Sequence, residues 1–379
     1  MRAVFSALCI ALFLILTACS NEAPSPAVTD QTEQQGKNSL TDASASAASI
    51  ASSLPRVKEV FEIGEGVYAR ALAVDEKQNS LWVGTSVGVH EVDLFSKQLR
   101  NTFTRDSGLA NEYVFSIMVD DHGDKWFGTN GGGVSQFNGS DWKTYFPMHG
   151  LADYWVYSFA QQASGAVWIG TWNGVNRIDP QSGHMSTYVQ ELINEWVYGI
   201  DVDSHDRVWF GTEGGVSMYD GVQWRSWDHE DGVGATNSEK LPLSPNTGLG
   251  TRSRHDLSVT VNGQLTYNPD YVFTVYVDED DTVYVGTWGG GVSIFNGKTW
   301  SNLTTQDGLA GNIVFSITQD QNGVFWFGTN NGVSRYDGSS WQNIGREQGL
   351  ESDHVYALAA VSDGDIWVGT KNGVARIGY

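Results

Sequence analysis

The sequence predicts an all-β fold, a seven-bladed β-propeller in which the N-terminal strand closes the last blade. Three observations carry this expectation. An aromatic-x-Gly-Thr element occurs seven times, with its glycines at 84, 128, 170, 211, 286, 328 and 369. The intervals are 44, 42, 41, 75, 42 and 41 residues, so one period runs throughout and the long interval adds an insertion of about 33 residues. Within each period, Asn-Gly and Asp-Gly pairs separate short β-rich runs, the strongest local signal for hairpins. Four strands in a period of this length make a propeller blade. Finally, the last unit stops at Tyr379 after its third strand, while a spare β-rich run at 57–63 precedes the first unit. Pairing the two completes the seventh blade and removes two exposed sheet edges.

Taken in order, residues 1–18 read as a secretory signal. Arg2 supplies the positive end, Val4 to Leu16 an apolar run, and Leu16-Thr17-Ala18 the small-residue approach to Cys19. The run is shorter than the roughly 20 residues a membrane span needs. Leu16-Thr17-Ala18-Cys19 resembles the lipobox of bacterial lipoproteins, which implies cleavage before Cys19 and lipidation of that cysteine. Ser20 follows, and in the family pattern that favours the outer membrane. Cys9 leaves with the signal, so the mature domain has no thiol for a disulfide, a thiolate metal site or a nucleophile. Residues 19–54 are rich in Ser, Ala, Gln and Thr with few bulky apolar side chains, the composition of a flexible tether. The propeller is expected over residues 55–379. The whole chain's formal charge of -22 disfavours nucleic acid and anionic lipid as partners, so membrane association is expected through the lipid anchor only. No cofactor and no oligomeric partner is called for, and a monomer is expected.

Each blade reads as strands a to d. In the sixth, Val314 to Ile317 forms the inner strand a, and a turn ending at Gly323 leads into strand b, Phe325 to Thr329. Asn331-Gly332 turns into strand c, and Asp337-Gly338 into strand d around Trp341. These units resemble the two-component regulator propeller repeat: inner strand, Asp-x-x-Gly, aromatic-x-Gly-Thr, x-x-Gly-(Val/Leu), then aromatic-Asp/Asn-Gly. The resemblance implies the propeller fold and a binding role. In that family the propeller is usually the extracytoplasmic sensor of a hybrid histidine kinase, often responding to polysaccharide fragments. Here no kinase or DNA-binding region accompanies it, so signalling does not carry over.

Residues that recur in every blade are expected to be scaffold. These are the strand-b aromatics Trp82, Trp126, Trp168, Trp209, Tyr284, Trp326 and Trp367, and the strand-d tryptophans Trp142, Trp224, Trp300 and Trp341. The departures from the repeat are the candidates for binding. The d–a and b–c connections share one face, the upper face. Trp172 and Trp288 directly follow Gly-Thr there, where other blades have Ser86, Asn130, Glu213, Asn330 and Lys371. Trp155 and Trp196 precede strand a, at positions held elsewhere by Tyr68, Tyr113, Tyr271, Ile313 and His354. Tyr154, Asn173, Asn111, Asp153 and Glu195 lie nearby. Aromatic faces that stack beside amides and carboxylates that orient suit a glycan or a peptide. The alternative is that these aromatics only plug the central channel.

The insertion at about 228–270 lies over the same face and contains an expected hairpin at 259–267. Arg252, Arg254 and His255 form a basic cluster within it, suited to an anionic ligand or to docking the loop onto propeller carboxylates. Asp-rich turns at 120–124 and 278–281 have a local explanation and lack the spacing of a calcium loop. For catalysis, Glu112, Glu195, Glu213 and His354 are the available acids and bases, but no nucleophile motif, metalloprotease motif or phosphate loop occurs. The expected function is non-enzymatic binding of a glycan, a peptide or an envelope protein. The alternatives are a polysaccharide lyase or hydrolase and a protein-interaction scaffold.

Overall fold

The computed structural model describes residues 54–244, 260–261 and 263–379. The signal, tether and lipidation expectations at 1–53, and Arg252, Arg254 and His255, lie outside the described residues. Seven four-stranded antiparallel sheets, each built from consecutive strands apart from the last, follow one another around a ring. The inner strands are Ala69–Asp75, Val114–Val119, Val156–Gln161, Val197–Val202, Asn268–Val277, Val314–Gln319 and Val355–Ala360. In blade seven, Arg56–Phe61 supplies the outer strand and pairs antiparallel with Val374–Gly378, from Arg56 opposite Gly378 to Phe61 opposite Val374. The ring therefore closes by the expected N-terminal strand. Among the described residues, no helix is long and apolar enough to cross a membrane.

Burial explains the repeat. Trp82, Trp126, Trp168, Trp209, Trp326 and Trp367 are all buried, and Tyr284 is half-buried. Each indole spans two blades: Trp82 lies 5.8 Å from Phe127 of blade two, and Trp168 lies 5.3 Å from Phe210 of blade four. In blades two, four and six an aspartate of the a–b turn holds the ring in place. Asp120 accepts from the N–H groups of His122 and Asp124 and from Trp126 Nε1. Asp203 does the same for His205, Arg207 and Trp209, and Asp320 for Asn322, Val324 and Trp326. The Asp turns are thus scaffold by a specific route: one carboxylate caps the turn and orients the core indole.

The glycine of each aromatic-x-Gly-Thr element faces the inner strand of the next blade. A methyl group on Gly128 would sit 2.8 Å from the Val156 carbonyl oxygen, and one on Gly286 2.6 Å from that of Val314. On Gly369 it would meet the Ala69 carbonyl at 2.8 Å, across the closing seam. Backbone cannot yield as a side-chain tip can. The following threonine closes the b–c hairpin, as where Thr171 Oγ1 donates to the Gly174 carbonyl and accepts from Asn173 N–H.

The seam between blades seven and one is looser than the rest. Blade one places Leu99 opposite Val92, where blade two places Trp142 opposite Phe137. A cavity of about 260 Å³ remains there, lined by Phe61, Val83, Leu99 and Trp367 among others.

Gly128→Ala is expected to lower unfolding stability by about 1–3 kcal/mol, the usual cost of overpacking a filled interior. Urea unfolding followed by tryptophan fluorescence checks this, and an unchanged midpoint would refute the close-approach account of the repeat glycine.

Candidate upper-face ligand site

The residues that precede four of the inner strands are fixed by a common device. Asn111 Oδ1 accepts from Tyr113 N–H, Asp153 Oδ1 from Trp155 N–H, and Asn194 Oδ1 from Trp196 N–H. Ser352 Oγ accepts from His354 N–H in the same way. The first residue of the b–c loop then bonds the rim backbone: Asn130 N–H to Tyr113, Trp172 N–H to Trp155, Glu213 N–H to Trp196 and Lys371 N–H to His354 carbonyls. Asn111 and Asp153, expected to orient a ligand, are therefore engaged in shaping their own turns.

Of the predicted site residues, the structure leaves some open and encloses others. Tyr154 is 46 % exposed, Asn173 is exposed, and Tyr113, Trp155, Trp196 and His354 are half-buried. Trp172 is buried, packed 5.1 Å from Trp196 and 6.3 Å from Tyr157. Glu213 is buried and accepts from the Tyr198 hydroxyl at 3.1 Å. Trp288 needs correction as a ligand platform, because its relative exposure is 0 %. Its ring stacks on Tyr271 and Phe273, and its Nε1 donates to Thr266 Oγ1 of the insertion. The insertion thus covers Trp288, a contact that no local pattern encodes. Arg254 lies outside the described residues.

The inner strands hold a feature the sequence reading passed over. Each shows a register shift, at the second residue in six blades and at the sixth in blade five: between Ala69 and Ala71, Val114 and Ser116, Val156 and Ser158, Val197 and Gly199, Val272 and Thr274, Val314 and Ser316, and Val355 and Ala357. A bulge leaves one residue out of the ladder and re-aims it. The skipped residues are Arg70, Phe115, Tyr157, Tyr198, Phe273, Phe315 and Tyr356, and all seven line one central cavity of about 260 Å³. Phe115 and Tyr157 are 5.0 Å apart, as are Tyr157 and Tyr198; Phe273 and Phe315 are 5.1 Å apart, and Phe315 and Tyr356 5.3 Å. Arg70 completes the circle, with its guanidinium carbon 4.6 Å from the Tyr356 ring centroid and 5.6 Å from that of Phe115. The signal was available: an aromatic recurs directly after the first valine of strand a in blades two to seven.

A second hollow, of about 490 Å³, lies between the insertion and blades five to seven. Leu241, Leu265 and Thr266 form its insertion side, and Asn312, Asn330, Asn331 and His354 its propeller side. Thr260–Val261 and Gln264–Leu265 pair as the short hairpin expected there. Burial, and then the nearby Lys371, hold the His354 imidazole below its ordinary pKa, which favours the neutral ring. Burial pushes the Tyr113 phenol up. The Asp201 carboxyl is pushed up to about 6 by burial. It sits at the far end of the inner strand and accepts from the Val202 and Val277 N–H groups, a structural engagement away from the rim. Two lower-face groups, Asp120–Asp121–His122 and Asp203–His205–Asp281, bring possible ligand atoms within 4.8 Å. In each, the buried aspartate is already spent on its turn and indole.

Flat rings and one guanidinium thus surround a central cavity that runs down the inner strands to Leu72, Ile117 and Leu358, and a separate amide-lined hollow lies against the insertion. The fold is that of a seven-bladed β-propeller. Residues 308–331 and 349–372 match the family described as two component regulator propeller, so these two segments carry its repeat. The structure is similar to that described as the extracellular domain of a hybrid two component system, BT3049, from B. thetaiotaomicron. The identity is 22%, the TM-score 0.65, and the match covers 82% of this chain and 39% of that one. The BT4673 counterpart from the same organism is 19% identical with a TM-score of 0.61, covering 85% of this chain and 40% of that one. Virginiamycin B lyase from Staphylococcus aureus, solved with quinupristin, is 12% identical with a TM-score of 0.62, covering 86% of this chain and 100% of that one. At these identities the likeness is one of fold. No curated protein matches the sequence significantly.

Trp288→Ala is expected to cost about 3–5 kcal/mol of stability, as for other buried tryptophans. Tyr154→Ala, on the exposed rim, is expected to change it by no more than about 0.5 kcal/mol. Equal losses in urea unfolding would contradict this division between core and rim.

Proposed function

We propose that this chain is a non-enzymatic, lipid-anchored propeller of the bacterial envelope that binds a glycan or a peptide on its upper face. The observation that carries the reading is the convergence of half-exposed rim aromatics, Tyr113, Trp155 and Trp196, over a cavity walled by six further rings. Aromatic faces stack on apolar ligand surfaces at little entropic cost, because the Asx turns and b–c contacts have already ordered them. Likeness in fold to the extracellular domains of two component systems supports a receptor-like role. Engagement of an envelope protein by the same face is the related reading.

Binding of a ligand array by the full-length chain in detergent tests this. Trp155→Ala and His354→Ala are expected to weaken any hit by about tenfold, roughly 1.4 kcal/mol. Val222→Ser, at an exposed lower turn, should leave it unchanged. Identical binding by Trp155→Ala would argue against the upper face. The lyase reading is favoured by one observation, the fold match that covers all of virginiamycin B lyase. Mass spectrometry of the same incubations, extended to a streptogramin B and uronic-acid polymers, is expected to recover every compound intact. A ring-opened or unsaturated product would instead establish lyase activity.

Anchoring is tested separately. Cys19→Ser is expected to move the protein from the membrane fraction to the soluble fraction, and retention in the membrane would rule out acylation at Cys19 as the anchor.

A further inference from the structure

We infer that the central throat is a subsite for a single carboxylate, and that Arg70 receives the acid group of a uronic sugar at the end of a mainly neutral oligosaccharide. This rests on the upper-face reading above and names its ligand class. Arg70 occupies the position that is aromatic in the other six blades, so the repeat does not account for it. Six other arginines, Arg100, Arg105, Arg177, Arg207, Arg335 and Arg376, each have a carboxylate within 4.0 Å. Among the described residues, Arg70 makes no ion pair and no hydrogen bond, on a chain of formal charge -22. Its guanidinium lies against the ring faces of Tyr356 and Phe115 and acts electrostatically on the Tyr113 phenol.

Chemistry narrows the ligand. A guanidinium stacked on rings keeps its in-plane N–H donors, and these match the two oxygens of a carboxylate. Half-buried among aromatic rings, it is less hydrated than a surface lysine, so an incoming anion displaces less water. The surrounding acidic surface repels polyanions over a longer range, which favours one charge on a neutral body. A pyranose offers an apolar C–H face to the rings and carries its carboxylate on an edge. The lining also holds Ser116, Ser158, Thr274 and Ser316, hydroxyl-bearing residues that suit the hydroxyls of a sugar. The cavity, at about 260 Å³, has room for a terminal group rather than a long chain.

The test is titration of the full-length chain in detergent with one trisaccharide made in two forms, glucuronate-capped and glucose-capped, and with N-acetylphenylalanine. Wild type is expected to bind the glucuronate form about tenfold tighter than the glucose form. Arg70→Gln should erase that difference and leave affinity for the neutral form unchanged. Arg70→Lys, which keeps the charge without the fork, should retain only part of it. Thermal unfolding of each variant establishes that it is folded, and if Arg70→Gln is not, Arg70→Lys carries the comparison. Equal binding of both forms by wild type and Arg70→Gln would overturn the anion subsite while leaving glycan binding intact. Arg70-dependent capture of N-acetylphenylalanine in preference to the sugar acid would overturn the assignment to a sugar. Failure of either form to bind would count against this inference alone if the array yields other ligands sensitive to Trp155→Ala, and against the upper-face reading as well if it yields none.

Discussion

Every blade leans on the next through one contact, in which the glycine of strand b lies against the inner strand of its neighbour with no space for a methyl group. At Gly128, Gly286 and Gly369 the neighbouring atoms include a backbone carbonyl oxygen, so there the separation of blades is set by main chain, while at Gly84, Gly170 and Gly211 it is set by packed side chains of the next inner strand. The aromatic ring two residues before the glycine fills the broader gap farther out, and in blades two, four and six the turn aspartate fixes its indole. Glycine for approach and an aromatic for filling therefore operate as a pair. Repeated around the ring, with Tyr284 in place of tryptophan in blade five, they define the radius of the ring and the width of its channel.

A channel of that width cannot remain lined by backbone edges alone, and the bulge in each inner strand turns a side chain into it. Six rings and one guanidinium meet there. The repeat supplies the position, and the individual blade supplies the chemistry. This is why the departures matter more than the consensus: Arg70 in blade one, His354 and Ile313 at the rim, and the insertion that roofs blade five. The insertion acts in two opposite ways. It withdraws Trp288 from the surface, and it creates the hollow bounded by Asn312, Asn330, Asn331 and His354.

Deviations also show where the ring is reinforced. Lys125 stands at the strand-b position where other blades have an apolar residue, and it is 1% exposed. Its Nζ lies 2.8 Å from Asp75 Oδ2 of the preceding blade and donates to the Gly123 carbonyl, with the Trp82 ring at 5.4 Å. A buried pair of this kind contributes little net stability but penalises any arrangement that separates its partners strongly. It joins blades one and two, beside the seam where Leu99 and Val92 leave a cavity.

Blade number, strand order within a blade, the closing strand and the scaffold role of the repeated aromatics were all legible in the linear pattern. Those properties depend on local turn chemistry and on a period, and both are written in consecutive residues. The rim was legible in part: Trp155, Trp196, Tyr113 and His354 stand at the upper edge because the Asx turns that hold them are also local. Burial of Trp288 and Glu213 was not, since each is enclosed by residues from another segment, Thr266 over the one and Tyr198 against the other. Nor was the throat. A bulge is a property of register between two strands, so strand alternation alone could not tell that Phe115 or Arg70 turns toward the axis. Only closure of the ring brings seven such residues, from positions 70 to 356, around a single cavity.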